Sequence, residues 1–204
     1  MNWETILCLG DSITIGSRSY MGYPEYCGSI LSKRTNKFWN VINHATAGFT
    51  TIDLCRSVSN NVANLKVFNP EIVTIMIGTN DLKRNTTASE FEIAYQQLLI
   101  KAKIINQNSN ITLIEIPDLK EGVMLPYTLL MNNNVRIYNE IIRELATKMG
   151  ARSIFISTEL DDFFDGVHLN ESGSKKWGMK LANMLVSERF LTENNEQQNI
   201  LFKT

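Results

Sequence analysis

The chain reads as an α/β protein, a parallel β-sheet with helices packed on both faces. Three observations predict it. Short apolar runs alternate with longer segments whose apolar residues recur every three or four positions. The short runs are rich in Ile, Val, Leu or Phe without strict alternation, as expected of strands covered on both faces. The β-α-β-α order continues along the chain, which calls for parallel strands joined by right-handed crossovers. With 204 residues, 44% of them hydrophobic, the chain has material for one such core and little for a second.

The elements follow in order. Thr5–Leu9 is the first strand and stops at Gly10. Pro24–Leu31 reads as a helix, Phe38–Ile42 as the second strand, and Ile52–Phe68 as helical again. Ile72–Ile77 is the third strand. Phe91, Ala94, Tyr95, Leu98, Ala102 and Ile105 then recur at helical spacing. Ile111–Ile116 is the fourth strand. Val135, Tyr138, Ile141, Ile142, Leu145 and Met149 mark another helix, with Gly150 as its stop. Ser153–Ile156 is the fifth strand, and Trp177, Leu181, Met184 and Leu185 share one side of a last helix. The polar stretch "TENNEQQN" places the end of the single domain near residue 190, with a polar tail over 191–204.

Composition excludes several classes. Net charge is -1, and Lys and Arg are scattered, so nucleic acid is not the expected partner. No apolar run approaches the ~20 residues that span a bilayer, and the N-terminus lacks the basic start of a signal peptide. A cytoplasmic protein without membrane insertion is expected. Cys8, Cys27 and Cys55 are odd in number and widely spaced, which fits reduced thiols, and Cys8 inside the first strand reads as a small buried hydrophobe. Two histidines are too few for a typical metal cluster, and no metal or cofactor is expected.

In an open α/β sheet, ligands bind outside the carboxyl ends of the strands. After the first strand comes Gly10-Asp11-Ser12. After the second comes "NHATAGFTT", with Gly48. After the third comes "GTND", with Asn80. After the fifth comes "DGVHLNESG", with Asp165 and His168. Each has a plain reading. Ser12 and Asp11 suit a turn or an N-cap, Gly48 a positive φ, and Asn80 a turn. Asp11 is read as structural, and so is His44, which has no acid near it in sequence. His168 differs, because Asp165 three residues earlier can accept its Nδ1–H and fix the tautomer. Together the clusters meet the needs of acyl transfer. A serine needs a base, the base needs an orienting group, and the tetrahedral intermediate needs donors for its oxyanion. Ser12, His168 and Asp165 fill the first roles. The backbone N–H groups of Ser12 and Gly48 and the Asn80 amide fill the last.

"GDSI", Gly48, "GTND" and "DGVHL" stand in the order of the SGNH hydrolases, the GDSL esterases and lipases, and the sequence resembles that family from Leu9 to about Gly173. The resemblance implies a three-layer α/β/α fold with a flavodoxin-like, five-stranded parallel sheet. It also implies an acyl-enzyme mechanism with Asp165 as the third triad member. Two positions depart from the usual pattern: Ile13 replaces the leucine of GDSL, and Ala45 replaces the first glycine of the second motif. The nucleophile elbow of α/β-hydrolases, G-x-S-x-G, is absent because residue 14 is Thr. A small-molecule acyl ester is the expected substrate, with a short acyl group such as acetyl on a sugar. Lysophospholipid or thioester hydrolysis and acyl transfer are the alternatives. A flavodoxin-like module binding phosphate through "GDSITIGS" is the non-enzymatic alternative, but it leaves Asn80, Asp165 and His168 without a task. Tyr20, Met21 and Tyr23, and Met124, Leu125, Pro126 and Tyr127, are candidates for an apolar wall, with ordinary packing as the plainer reading of each.

Overall fold

A computed structural model describes residues 3–16, 19–106 and 110–201, with side chains as far as Ser187. Five strands, β1 (Trp3–Gly10), β2 (Phe38–Ala45), β3 (Ile72–Met76), β4 (Ile111–Ile114) and β5 (Arg152–Ile154), form one parallel sheet in the order β2-β1-β3-β4-β5. The order reverses at β1, so the connections leaving β1 and β3 diverge and open a crevice at their carboxyl ends. The helices are α1 (Ser12–Ile15), α2 (Tyr23–Thr35), α3 (Thr51–Val67), α4 (Thr79–Arg84), α5 (Ala88–Ile105), α6 (Asn132–Met149) and α7 (Glu171–Leu201). The polar tail expected at 191–204 falls on the end of α7 and beyond it, where side chains lie outside the described residues.

Alternation along the central strands builds two cores. Leu7 and Leu9 of β1 and Val73 and Ile75 of β3 join Leu54 and Val58 of α3, Tyr95 and Leu98 of α5, and Tyr138 and Ile142 of α6. Ile6 and Cys8 face the opposite way, toward Tyr23, Cys27 and Leu31 of α2 and Trp177 and Leu181 of α7. Strands with apolar side chains on both faces must be covered twice. Tyr23 and Trp177 meet edge to face at 5.5 Å and tie α2 to α7. Cys8, Cys27 and Cys55 are free and buried, and burial pushes the Cys8 thiol up to about 12.

All five strands appear where sequence predicts them, with shifted ends. The fourth was expected to reach Ile116 but stops at Ile114. Beyond that point the Asn139 side chain of α6 takes over, its Oδ1 accepting from Ile116 N at 2.8 Å and its Nδ2 donating to Ile116 O at 2.9 Å. An amide edge satisfies the same backbone donor and acceptor that a neighbouring strand would. Asn132 does the same for Leu119. The segment after β4 is thereby held against α6.

Candidate active site

The site begins where β1 ends. A Cβ on Gly10 would lie 2.1 Å from Thr14 Oγ1 and 2.6 Å from Met76 O, so only glycine lets the strand turn this closely into α1. Asp11 caps that helix, its Oδ1 accepting from Ile13 N at 3.0 Å. Its structural reading holds, and the cap sets Ser12 at the first helical position, partly exposed.

Asp165 and His168 arrive on a tight turn ahead of α7. Phe164 N donates to His168 O at 3.1 Å and closes the turn. Within it Asp165 Oδ1 accepts from Val167 N at 3.0 Å and from His168 N at 2.7 Å. The second oxygen, Oδ2, lies 2.8 Å from His168 Nδ1. Burial pushes the Asp165 carboxyl up, but the backbone and ring hydrogen bonds from His168 and the bond from Val167 outweigh it and hold the group below its ordinary range. An ionised carboxylate only accepts, so Nδ1 carries the proton and Nε2 keeps its lone pair. Nε2 lies 2.9 Å from Ser12 Oγ, so the hydroxyl donates to it. The chain of bonds from Asp165 to Ser12 is complete without any rearrangement, and it can remove the serine proton.

Asn80 enters from the turn between β3 and α4. Its Nδ2 donates to Phe49 O at 2.9 Å, and its second N–H has only a long 3.4 Å contact with Asp11 Oδ2. Its Oδ1 accepts from Tyr127 Oη at 3.0 Å. Gly48 sits in an exposed loop after β2 with φ +81, and nothing lies within 4 Å of a Cβ built there. The glycine therefore serves its positive φ, and crowding within the protein does not require it. Asp81, next to Asn80, anchors the start of α3 by accepting from Thr51 N at 2.8 Å and Thr51 Oγ1 at 3.1 Å. Burial pushes the Asp11 carboxyl up to about 7 and that of Asp81 up to about 6.

Beside Ser12 opens a cavity of about 270 Å³, walled by Ile13, Met124, Phe164 and Leu169 together with Asp165 and His168. Phe164 is 61% exposed and stacks on the His168 ring, with centroids 5.6 Å apart and planes 16° apart. Met124 is thus part of the expected wall, and Tyr20 lies nearby with its hydroxyl donating to Leu169 O at 2.6 Å. Tyr23 is not, because it is fully buried between the sheet and α7, its hydroxyl paired with Thr14 Oγ1. Tyr127 is also buried, and Leu125 projects to solvent. Sequence reasoning missed Phe164 and the Tyr127–Asn80 bond. The aromatic beside "DGVHL" was the available signal for the first; the second joins residues 47 apart and leaves no local pattern. His44 lies away from the triad on β2, its Nε2 3.3 Å from Ser57 Oγ, with its pKa lowered by burial. Among the described residues, no group of three or more His, Cys, Asp or Glu side chains could hold a metal ion. No helix there is long and apolar enough to cross a membrane.

Residues 8–176 match the pattern of the GDSL-like Lipase/Acylhydrolase family. The chain belongs to that family. It is similar to a multidomain esterase of Ruminococcus flavefaciens, 24% identical over 211 aligned positions. The match takes in 85% of this chain but only 27% of that protein, so the chain spans about a quarter of its curated relative's length. Among solved structures it is similar to the acetyl xylan esterase AlAXEase (22% identity, TM-score 0.72, covering 88% of this chain and 98% of that one). It is also similar to Est24, a carbohydrate acetylesterase from Sinorhizobium meliloti (17% identity, TM-score 0.70, 90% and 99% covered). The acetylxylan esterase Axe2 of Geobacillus stearothermophilus matches with 20% identity and TM-score 0.65 over 91% and 93% of the two chains. At these identities the likeness establishes a shared fold.

Proposed function

We propose that the protein is a serine esterase that removes short acyl groups, above all acetyl, from a carbohydrate. The observation that carries this reading is the unbroken Ser12–His168–Asp165 hydrogen-bond chain opening onto the cavity beside Ser12. In the first step Ser12 Oγ attacks the ester carbonyl while His168 Nε2 takes the hydroxyl proton. The oxyanion is stabilised by the N–H groups of Ser12 and Gly48 and by the second N–H of Asn80, which exchanges its long contact with Asp11 for the developing charge. His168 returns the proton to the leaving alkoxide, which departs as the alcohol. A water molecule then gives a proton to His168 and attacks the acyl group. Collapse of that intermediate frees the carboxylic acid and restores Ser12 with its proton. Asp165 keeps the imidazole in the working tautomer throughout, and no step calls for a metal or cofactor.

Acetyl and sugar are the proposed substrate parts because three structural neighbours act, by their names, on acetylated xylan or other acetylated carbohydrate. The cavity is consistent with a small acyl group held between Ile13, Met124, Phe164 and Leu169. The test is a 4-nitrophenyl ester series from acetate to octanoate together with acetylated xylo-oligosaccharides. Wild type is expected to favour acetate and to release acetate from the oligosaccharide, and Ser12→Ala is expected to do neither. Labelling by a fluorophosphonate at Ser12 checks the nucleophile directly. Preference for octanoate, with no acetate release from the sugar, sinks the substrate assignment. Full turnover by Ser12→Ala sinks the mechanism.

A further inference from the structure

Asn80 is delivered with both ends of its carboxamide already engaged. A carbonyl oxygen can only accept, so the 2.9 Å contact with Phe49 O requires the amide nitrogen on that side. The Tyr127 hydroxyl completes the assignment by donating to Oδ1 from the other side at 3.0 Å. Asn80 is 3% exposed and Tyr127 4%, so bulk water does not readily replace the phenol. Burial, and then the nearby charges of Asp11, Asp165 and Asp81, push that phenol up to about 12, which keeps it a protonated donor. Lys83 Nζ lies over the Tyr127 ring, 5.7 Å from its centre.

We propose that Tyr127 is a positioning residue that orients the Asn80 carboxamide and strengthens its second N–H, which makes only the long contact with Asp11, as an oxyanion donor. The proposal rests on the reading of Asn80 given above. A hydrogen bond accepted at an amide oxygen draws electron density from the nitrogen and makes the opposite N–H a better donor, the usual cooperativity of linked hydrogen bonds. The segment that carries the phenol is itself fixed. Tyr127 N donates to Met124 O at 3.0 Å, Met124 N donates to Asp165 O at 3.1 Å, and Lys120 N donates to Gly166 O at 2.9 Å. One segment therefore joins the turn that holds the acid to the residue that holds the oxyanion donor.

The test is a double-mutant cycle on 4-nitrophenyl acetate with Tyr127→Phe, Asn80→Ala and the pair. Tyr127→Phe removes one oxygen atom and keeps the ring packing, and thermal unfolding verifies that it folds. It is expected to lower kcat about tenfold with KM within about twofold of wild type. In the Asn80→Ala background the same change is expected to cost almost nothing further. A structural role would lower activity by the same factor in both backgrounds, and that result overturns the proposal. So does wild-type kcat in Tyr127→Phe when Asn80→Ala is impaired. Wild-type kcat in Asn80→Ala refutes the oxyanion reading itself, which separates the two failures.

Discussion

Replacing Asp165 by asparagine is expected to harm the proposed esterase activity more than deleting its side chain. Asp165 Oδ1 accepts two backbone N–H groups, from Val167 and His168, while Oδ2 accepts one imidazole N–H. Asparagine has a single acceptor oxygen, and the two fixed backbone donors outbid the ring for it. Each such bond contributes on the order of 1 kcal/mol net, and leaving a donor unpaired costs ~1–3 kcal/mol. The amide NH2 then faces His168 Nδ1 and favours the tautomer with the proton on Nε2. That tautomer cannot take the Ser12 proton. A bias of about 3–5 kcal/mol corresponds to a loss of roughly 10²–10⁴ in kcat, and the wrong-tautomer case in serine proteases is near the upper end at ~10⁴. Asp165→Ala leaves the ring free to adopt either tautomer, so its expected loss is smaller, about 10²-fold. The assay is kcat and kcat/KM on 4-nitrophenyl acetate, with circular dichroism as a check on folding. Asp165→Asn equal to or more active than Asp165→Ala would refute the orientation argument.

Two further expectations concern protons. His44→Gln is expected to keep wild-type kcat/KM and its decline at acid pH, while His168→Gln loses nearly all activity at every pH, because only a neutral imidazole on the triad accepts the serine proton. A pH profile of both variants checks this, and an active His168→Gln reverses the assignment. The second expectation concerns stability. Burial raises the Asp11 carboxyl to about 7, so between about pH 4 and pH 7 the folded state binds a proton that the unfolded chain has released. Asp11 therefore makes the fold less stable as pH rises through that window, and its contribution levels off above it. His44, lowered by burial, acts in the opposite sense, so the difference in unfolding midpoint between wild type and Asp11→Asn is the quantity to follow. That difference is expected to move against wild type from pH 5 to pH 7, and a constant offset refutes it.

Much of the fold was legible because buried parallel strands leave runs such as Ile72–Met76, whose character comes from burial on both faces. The ends were less legible, since they are set by partners distant in sequence: Asn139 ends β4 by bonding Ile116. α1 and α4 passed unseen because four and six residues are too short to show a helical period. Ser12, Asn80, Asp165 and His168 could be proposed together because each follows a strand in a short polar cluster, and the structure brings Ser12, His168 and Asp165 within hydrogen-bond reach. For Tyr23 the plainer reading, ordinary packing, is the one the structure bears out; sequence could not decide it because an aromatic near Ser12 looks the same whether it faces a cavity or Trp177. The plain reading of Gly48, a glycine serving a positive φ, agrees with its φ of +81 in open space.

The hydrogen bond between Ser12 and His168 joins residues separated by 156 positions. A nascent chain emerging from the ribosome therefore carries its nucleophile long before its base exists. The base reaches Ser12 only when the turn after β5 is seated beside β1, and α7 leads on from that turn to pack against α2. The proposed esterase turnover would thus report on completed folding. A destabilising change anywhere in the contact between α2 and α7, such as the loss of Trp177 from its place beside Tyr23, is expected to disconnect the nucleophile from its base while much of the sheet remains paired.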